Sequence, residues 1–151
     1  MEDLDREAAV AVLSAQHVAH IGVVADGEPY VSPISFAVIG DHLYFRTGRG
    51  RRLAAILMHP RVCIEASITD DQGWDSVIVW GDAYEIEDIQ RQADIIEALL
   101  EKYSKSIDSV LSFSRPSPLA DDSSVVAVPL SEVSGRSSGR GLDPALRPGR
   151  L

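Results

Sequence analysis

The chain has 151 residues, of which 45% are hydrophobic and 25% are charged, and its formal net charge is −9. This composition is typical of one globular domain with a hydrophobic core, and the acidic balance disfavours binding to the phosphate backbone of a nucleic acid. The sequence has no long apolar run, no signal-peptide pattern and no cysteine besides Cys63, so we expect a cytoplasmic protein that binds no membrane.

The first half of the chain predicts a helix followed by short strands. Leu4, Ala8 and Val12 recur at helical spacing, which predicts a helix over residues 3–16. β-Branched segments separated by turn residues then predict three strands. These strands are at residues 18–25, 30–39 and 42–47, and a short helix follows at residues 53–58.

The second half predicts further strands and a longer helix. Two strands are expected, at residues 61–69 and 74–87. Gly81, in the middle of the longer strand, predicts a bulge or a sharp bend. A helix is predicted over residues 89–103, with Tyr103 on its buried stripe and Lys102 on its solvent-exposed face.

The last predicted strand covers residues 124–132, after a segment at residues 104–122 that combines a short helical pattern with a Ser/Pro-containing loop. We predict one domain over residues 1–133 and a basic C-terminal tail over residues 134–151, where four arginines and one aspartate give a charge of +3. Consecutive strands joined by short turns favour a mainly β fold, a small antiparallel barrel with flanking helices, over a parallel sheet.

A cluster of arginines stands at the turn between the predicted third strand and the short helix. Its members are Arg46, Arg49, Arg51 and Arg52. The free N–H groups and the positive dipole end of a helix N-terminus favour an anion, and arginine adds bidentate donors that match phosphate oxygens. Gly48 and Gly50 let the backbone approach a ligand closely. The turn therefore predicts a phosphate pocket; the alternative is a solvated basic turn that balances acidic neighbours.

Two further segments offer surfaces suited to a flat heterocycle. Pro33 interrupts the ladder of a predicted strand and should lie at an edge, a bulge or an opening, with the hydroxyls of Ser32 and Ser35 on either side. Trp74 and Trp80 share one face of the long strand and present flat apolar surface. The alternatives are an ordinary edge strand for the first segment and core packing for the second.

Groups that could carry chemistry by themselves are sparse. The four histidines show no zinc-site spacing, so we predict no metal site, and no serine has the neighbours of a nucleophile elbow. The sequence identifies no catalytic residue. If the protein is an enzyme, a cofactor has to carry the chemistry.

The segments described above, in this order and spacing, resemble the FMN-binding split-barrel family, whose namesake is pyridoxamine 5'-phosphate oxidase, and especially its small bacterial flavin-binding branch. The resemblance is carried by Pro29–Phe36, Leu43–Thr47, Gly50–Leu53, His59–Val62 and Gly73–Val77, and more weakly by Val133–Arg136. It implies a six-stranded antiparallel split barrel that acts as a homodimer, with flavins bound in grooves between the subunits.

The resemblance also implies which residues bind the cofactor, FMN. Arg46 and Thr47 would lie along the ribityl-phosphate, and Arg51 and Arg52 would hold the phosphate. The main chain of four residues would border the isoalloxazine ring: Ser32, Pro33, Ile34 and Ser35. Two side chains would approach the ring from the other subunit: Trp74 and Ser76.

The leading hypothesis is an FMN-dependent oxidoreductase that acts on an unidentified small molecule. A second hypothesis keeps the fold but replaces FMN with a deazaflavin coenzyme, whose acidic tail would suit Arg49 and the basic C-terminal tail. A third is a non-enzymatic flavin- or haem-binding module. The fourth is a domain without a ligand, in which Trp74 and Trp80 serve only the dimer interface.

Overall fold

The computed structural model describes residues 1–104 and 123–139, and these form ten strands and three helices. In chain order the elements are β1 (Glu2–Leu4), α1 (Arg6–Ala15), β2 (Ala19–Ala25), β3 (Glu28–Ile34), β4 (Phe36–Ile39), β5 (His42–Gly48), α2 (Arg51–Met58), β6 (Arg61–Asp70), β7 (Gly73–Asp82), β8 (Tyr84–Glu85), α3 (Ile89–Ser104), β9 (Ser123–Pro129) and β10 (Glu132–Ser137). Residues 105–122 of the predicted helical and loop segment, and residues 140–151 of the predicted tail, lie outside the described residues. None of the three described helices is long and apolar enough to cross a membrane.

The strands form two antiparallel sheets around a shared core. The first sheet has six strands in the order β1-β10-β7-β6-β2-β3, and the second has four in the order β4-β5-β9-β8. Ile21 and Ile64 from the first sheet pack in one cluster with Phe45 and Val126 from the second. The predicted fold class, a mainly β antiparallel split barrel with flanking helices, is confirmed.

The three helices cover different parts of this core. Leu13 of α1 and Ile56 of α2 belong to the cluster between the sheets. Leu99 and Tyr103 of α3 form a second cluster on the other side of the four-stranded sheet. Because successive residues of a strand point to opposite faces, β5 contributes Phe45 to the first cluster and the preceding tyrosine to the second.

Two predicted strands are each divided between the two sheets. The strand predicted at residues 30–39 is β3 in the first sheet and β4 in the second, with Ser35 between them. The strand predicted at residues 74–87 is likewise β7 and β8, with Ala83 between them. Apolar residues continue through both crossings because the chain stays against the core while it changes sheet, so the sequence pattern does not reveal the breaks.

Gly81 marks a close approach between the sheets instead of the predicted bulge or sharp bend. It pairs regularly with Val62 on β6. A Cβ atom on Gly81 would lie 2.9 Å from Val128 Cγ1 and 3.2 Å from the carbonyl oxygen of Pro129. Glycine is therefore required because β9 approaches the backbone of β7 at this position. The chain leaves the first sheet only at Ala83.

The N-terminal helix begins later than predicted. Residues 2–4 form β1, which pairs with β10, and α1 begins at Arg6. Asp5 caps the helix, since its carboxylate accepts a 2.7 Å hydrogen bond from the N–H of Ala8.

The C-terminal strand extends into residues that the sequence assigns to the tail. β10 runs from Glu132 to Ser137 and lies between β1 and β7. Gly135 takes an inward-facing position, where a Cβ atom would lie 3.0 Å from the Cβ of Ala9. Because α1 packs so closely here, the strand carries glycine and serine instead of the apolar alternation by which strands are recognised.

Candidate functional site

The arginine-rich turn is fixed by its two flanking elements. β5 ends at Gly48, and the N–H of Gly50 donates a 2.9 Å hydrogen bond to the Gly48 carbonyl, which tightens the turn before α2. Leu53 and Ile56 bury the inner face of α2 in the core. The side chains of the first helical turn therefore project from a rigid support.

Arg52 contacts three residues that the family resemblance assigns to the same cofactor pocket: Ser32, Pro33 and Thr47. Its Nε and Nη2 atoms donate to Ser32 Oγ at 3.0 and 2.8 Å, and Nη2 also donates to the Pro33 carbonyl oxygen at 3.0 Å. Its Nη1 atom lies 3.4 Å from Thr47 Oγ1. One guanidinium thus joins β3 of the first sheet to β5 of the second.

The position of Pro33 follows from the same geometry. β3 is the edge strand of the six-stranded sheet, so the missing N–H of Pro33 leaves no gap in an interior ladder. The prediction of an edge position is confirmed. Its carbonyl oxygen is used by Arg52.

Arg52 is a half-buried cation without a carboxylate counter-charge among residues 1–104 and 123–139. Burial lowers the pKa of its guanidinium, although arginine remains protonated in proteins. Its contacts with Ser32, Pro33 and Thr47 occupy four of the five guanidinium N–H bonds, which leaves one on Nη1. A desolvated positive charge with a remaining donor is suited to an anion.

The other two arginines predicted to bind the cofactor take different directions. Arg46 donates from Nε to Ser123 Oγ at 2.7 Å on β9, and burial lowers the pKa of its guanidinium. Arg51 extends along β3, where its guanidinium carbon lies 5.0 Å from the centroid of the Tyr30 ring and Nη2 lies 3.9 Å from Asp26 Oδ2. In this single subunit, Arg52 alone of the three contacts Ser32 and Pro33.

The chain crossing at Ser35 is held by α3. Tyr103 accepts a 2.9 Å hydrogen bond from the N–H of Phe36 and donates to the carbonyl of His17. Lys102 donates from Nζ to the Phe36 carbonyl at 2.9 Å and lies 3.9 Å from the centre of the Phe36 ring. These contacts fix the backbone between β3 and β4, directly after the Pro33 carbonyl.

The predicted position of Lys102 on the solvent-exposed face of α3 is wrong. Helical spacing predicts it on the solvent face, but it is half-buried, and burial lowers the pKa of its amine to about 8. Burial also raises the pKa of Tyr103. No sequence signal distinguishes a lysine that reaches inward along an apolar surface from an exposed one.

Two further residues predicted to border the flavin ring lie at the same crossing. Ile34 buries its side chain in the core, and Ser35 is half-buried.

Trp74 and Ser76 lie at a second location. Both line a cleft of about 680 Å³ formed by β1, β7 and β10, and Ser76 Oγ donates to Glu65 Oε1 at 3.2 Å. β7 is three strands away from β3 in the sheet order, which corresponds to about 14 Å. One subunit therefore does not bring Trp74 and Ser76 to Arg52, and their approach from a second subunit stays a prediction.

A comparison with known protein families identifies the family of this chain. The sequence profile of the family described as pyridoxamine 5'-phosphate oxidase matches residues 5–137. The chain belongs to this family. The resemblance inferred from the sequence motifs is thus confirmed. The match ends where β10 ends, at Ser137.

Solved structures of similar proteins share the fold. A FAD-binding protein from Mesorhizobium loti has 25% sequence identity and a TM-score of 0.75, over 91% of this chain and 97% of that chain. A FAD- and haem-binding protein from Mycobacterium smegmatis has 18% identity and a TM-score of 0.75, over 96% of this chain and 78% of that chain; at this identity the likeness shows the fold alone.

Among curated proteins, an uncharacterised protein of Rhizobium meliloti (strain 1021) is 29% identical over 79 residues. The matched segment covers 52% of this chain and 52% of that protein, so the chain spans about half the length of this relative.

Proposed function

We propose that this protein binds FMN, or the FMN portion of FAD, and uses it as a flavin-dependent oxidoreductase. The observation that carries the proposal is the Arg52 cluster, a half-buried guanidinium held by Ser32, Pro33 and Thr47. Ordinary surface arginines are not fixed by three partners from two sheets. A fixed fork with a remaining donor is the group that binds a phosphate most specifically.

The residues around Arg52 also fit the rest of an FMN molecule. The phosphate would lie against the remaining Nη1 donor, beside the glycine-containing turn that precedes α2. The ring would lie along the main chain of Pro33 and Ser35, which Tyr103 and Lys102 hold in place from α3. When bound, the flavin supplies the hydride or electron transfer, and the protein anchors and orients it.

A homodimer is part of the proposal, because the resemblance implies that Trp74 and Ser76 approach the flavin and one subunit does not bring them to Arg52. Trp74 and Ser76 lie on β7, three strands from β3, whose Ser32 and Pro33 contact Arg52. The outer face of this six-stranded sheet also carries exposed apolar side chains, including Val31 and Trp80. A second copy packed on this face would bury them and bring its own β7 toward the first subunit's flavin. Light scattering of the purified protein tests this: a dimer mass supports it and a monomer mass contradicts it.

The identity of the cofactor is tested by the protein itself. We expect freshly purified protein to show the visible absorption bands of an oxidised flavin, and mass spectrometry of the ligand released on denaturation to identify FMN or FAD. A deazaflavin coenzyme or haem in the released fraction would support the corresponding alternative. Colourless protein that also fails to take up FMN and FAD would contradict the proposal.

The oxidoreductase activity is proposed on the flavin alone, since hydride and electron transfer are the chemistry of the cofactor. A turnover screen with reduced nicotinamide nucleotides and varied electron acceptors separates an enzyme from a non-enzymatic flavin-binding module. Turnover that requires bound flavin supports the enzyme. Bound flavin that no nicotinamide nucleotide reduces supports the non-enzymatic module.

A further inference from the structure

Arg51 and Arg52 are adjacent in the chain but serve two different places on β3. Arg52 contacts Ser32, whereas Arg51 lies over the ring of Tyr30. Tyr30 and Ser32 are two residues apart on one face of the strand, so their Cα atoms are separated by about 7 Å. Two linked phosphates can extend from one of these places to the other.

A groove opens directly beside Arg51. It has a volume of about 260 Å³ and lies between α2 and the end of the β2–β3 hairpin. Its lining residues are Val24, Ala25, Asp26, Gly27, Arg51, Ala54, Ala55, Met58 and His59. Arg51 and Asp26 are the charged residues of this lining, and most of the wall is apolar.

Met58 indicates that the groove is an exposed apolar surface and not part of the core. Its side chain is 78% exposed at the end of α2, and Val24 opposite is also exposed. Pockets that enclose a whole drug-sized ligand usually measure about 300–1,000 Å³, so this groove has room for one portion of a ligand. A flat purine against methyl and thioether groups would bury this apolar surface.

The charges near the groove favour an anionic ligand that enters past Arg51. The guanidinium of Arg51 is 58% exposed, and its partner Asp26 is 92% exposed at 3.9 Å, so this surface ion pair is weak and readily exchanged. Arg52 lies at the adjoining position and has no carboxylate partner in the described part of the chain. Two neighbouring cations in a chain of net charge −9 thus lead from the Arg52 cluster into the groove.

We propose that the groove between α2 and the β2–β3 hairpin binds the adenosine end of FAD, with Arg51 on the second phosphate. This inference rests on the proposed function, because the first phosphate has to occupy the Arg52 cluster. In place of the role on the FMN phosphate that the resemblance implies, Arg51 is then the residue that distinguishes FAD from FMN. Met58 packs against the purine.

The charge of Arg51 is tested by titrating flavin-free protein with FAD and with FMN. In Arg51→Gln, we expect the affinity for FAD to fall about tenfold, because one charge-assisted hydrogen bond is lost. The affinity for FMN should change by less than about twofold. Arg6→Gln removes the same charge from the exposed start of α1 and should leave both affinities unchanged. Equal losses for FAD and FMN, or no loss for either, would overturn the proposal.

The groove itself is tested by a pair of neighbouring substitutions. Met58→Glu places a carboxylate in the groove, whereas Leu57→Glu makes the same change at an adjacent residue that is 58% exposed and does not line it. We expect Met58→Glu alone to weaken FAD binding, with FMN binding retained in both variants. Identical behaviour of the two variants toward FAD would refute the groove. Wild-type protein that binds neither flavin would instead refute the proposed function as well.

Discussion

Replacing Arg52 with alanine gives the most informative perturbation of the proposed site. In the structure, its guanidinium contacts Ser32, Pro33 and Thr47 and keeps one Nη1 donor for a ligand. A hydrogen bond to a charged group contributes about 1.5–3 kcal/mol, which corresponds to a loss of roughly 10- to 140-fold in affinity. We expect Arg52→Ala to weaken FMN binding by this factor.

Riboflavin, which lacks the phosphate, makes the test specific. If Arg52 binds the phosphate, the affinity for riboflavin should change by less than about threefold in Arg52→Ala, since no charged hydrogen bond is lost. Both ligands can be titrated into flavin-free protein and followed by flavin fluorescence. Arg52→Lys keeps the charge but loses the planar fork, so its FMN affinity should be intermediate.

A matched control separates the loss of the site from the loss of the fold. Arg61 is a half-exposed arginine on β6 whose Nη2 lies 2.7 Å from Glu132, and Arg61→Ala should bind FMN as the parent does. Equal losses of FMN and riboflavin affinity in Arg52→Ala, at an unchanged melting temperature, would refute the reasoning, because the arginine would then act on the ring and not on the phosphate.

Three further predictions concern the framework of the site. Gly81→Ala should destabilise the fold by about 1–3 kcal/mol, because its Cβ would lie 2.9 Å from Val128 Cγ1; thermal unfolding measures this. Tyr103→Phe should cost about 1–3 kcal/mol by removing the acceptor of the Phe36 N–H, and should also weaken flavin binding. Burial lowers the pKa of Lys102 to about 8 from 10.5, so the folded state releases this proton first. The unfolding free energy of the parent, relative to Lys102→Met, should therefore rise between about pH 8 and pH 10.5.

Each of these predictions has its own control. Gly22→Ala places a Cβ at an ordinary 3.6 Å from the Cys63 carbonyl and should be tolerated; equal destabilisation at both glycines would contradict the packing argument. For Tyr103→Phe, an unchanged melting temperature would show that the hydroxyl is not needed at the crossing. For Lys102→Met, a stability difference from the parent that stays constant from pH 8 to pH 10.5 would contradict the burial of the amine.

Local signals in the sequence predict several residues of the candidate site. Arginines beside glycines at a strand–helix turn, and a proline flanked by serines, are features of short segments. The structure brings Arg52, Thr47, Ser32 and Pro33 into one cluster. The antiparallel β class likewise follows from short strands separated by recognisable turns.

The features that the sequence did not predict depend on contacts between distant residues. The crossing at Ser35 is set by Tyr103, 67 positions after Phe36, and no local pattern encodes that hydrogen bond. Lys102 reaches inward because its amine donates a hydrogen bond to the carbonyl of Phe36. Most of β10 falls within the predicted tail, because close packing of α1 selects Gly135 where a strand pattern would show an apolar residue.

A crystal structure of the protein with FMN would test the central claim most directly. The account predicts a phosphate oxygen within about 3.2 Å of the Arg52 guanidinium, with the ring along the main chain of Pro33 and Ser35. A flavin whose phosphate lies elsewhere, while Arg52 keeps only its contacts with Ser32, Pro33 and Thr47, would contradict it.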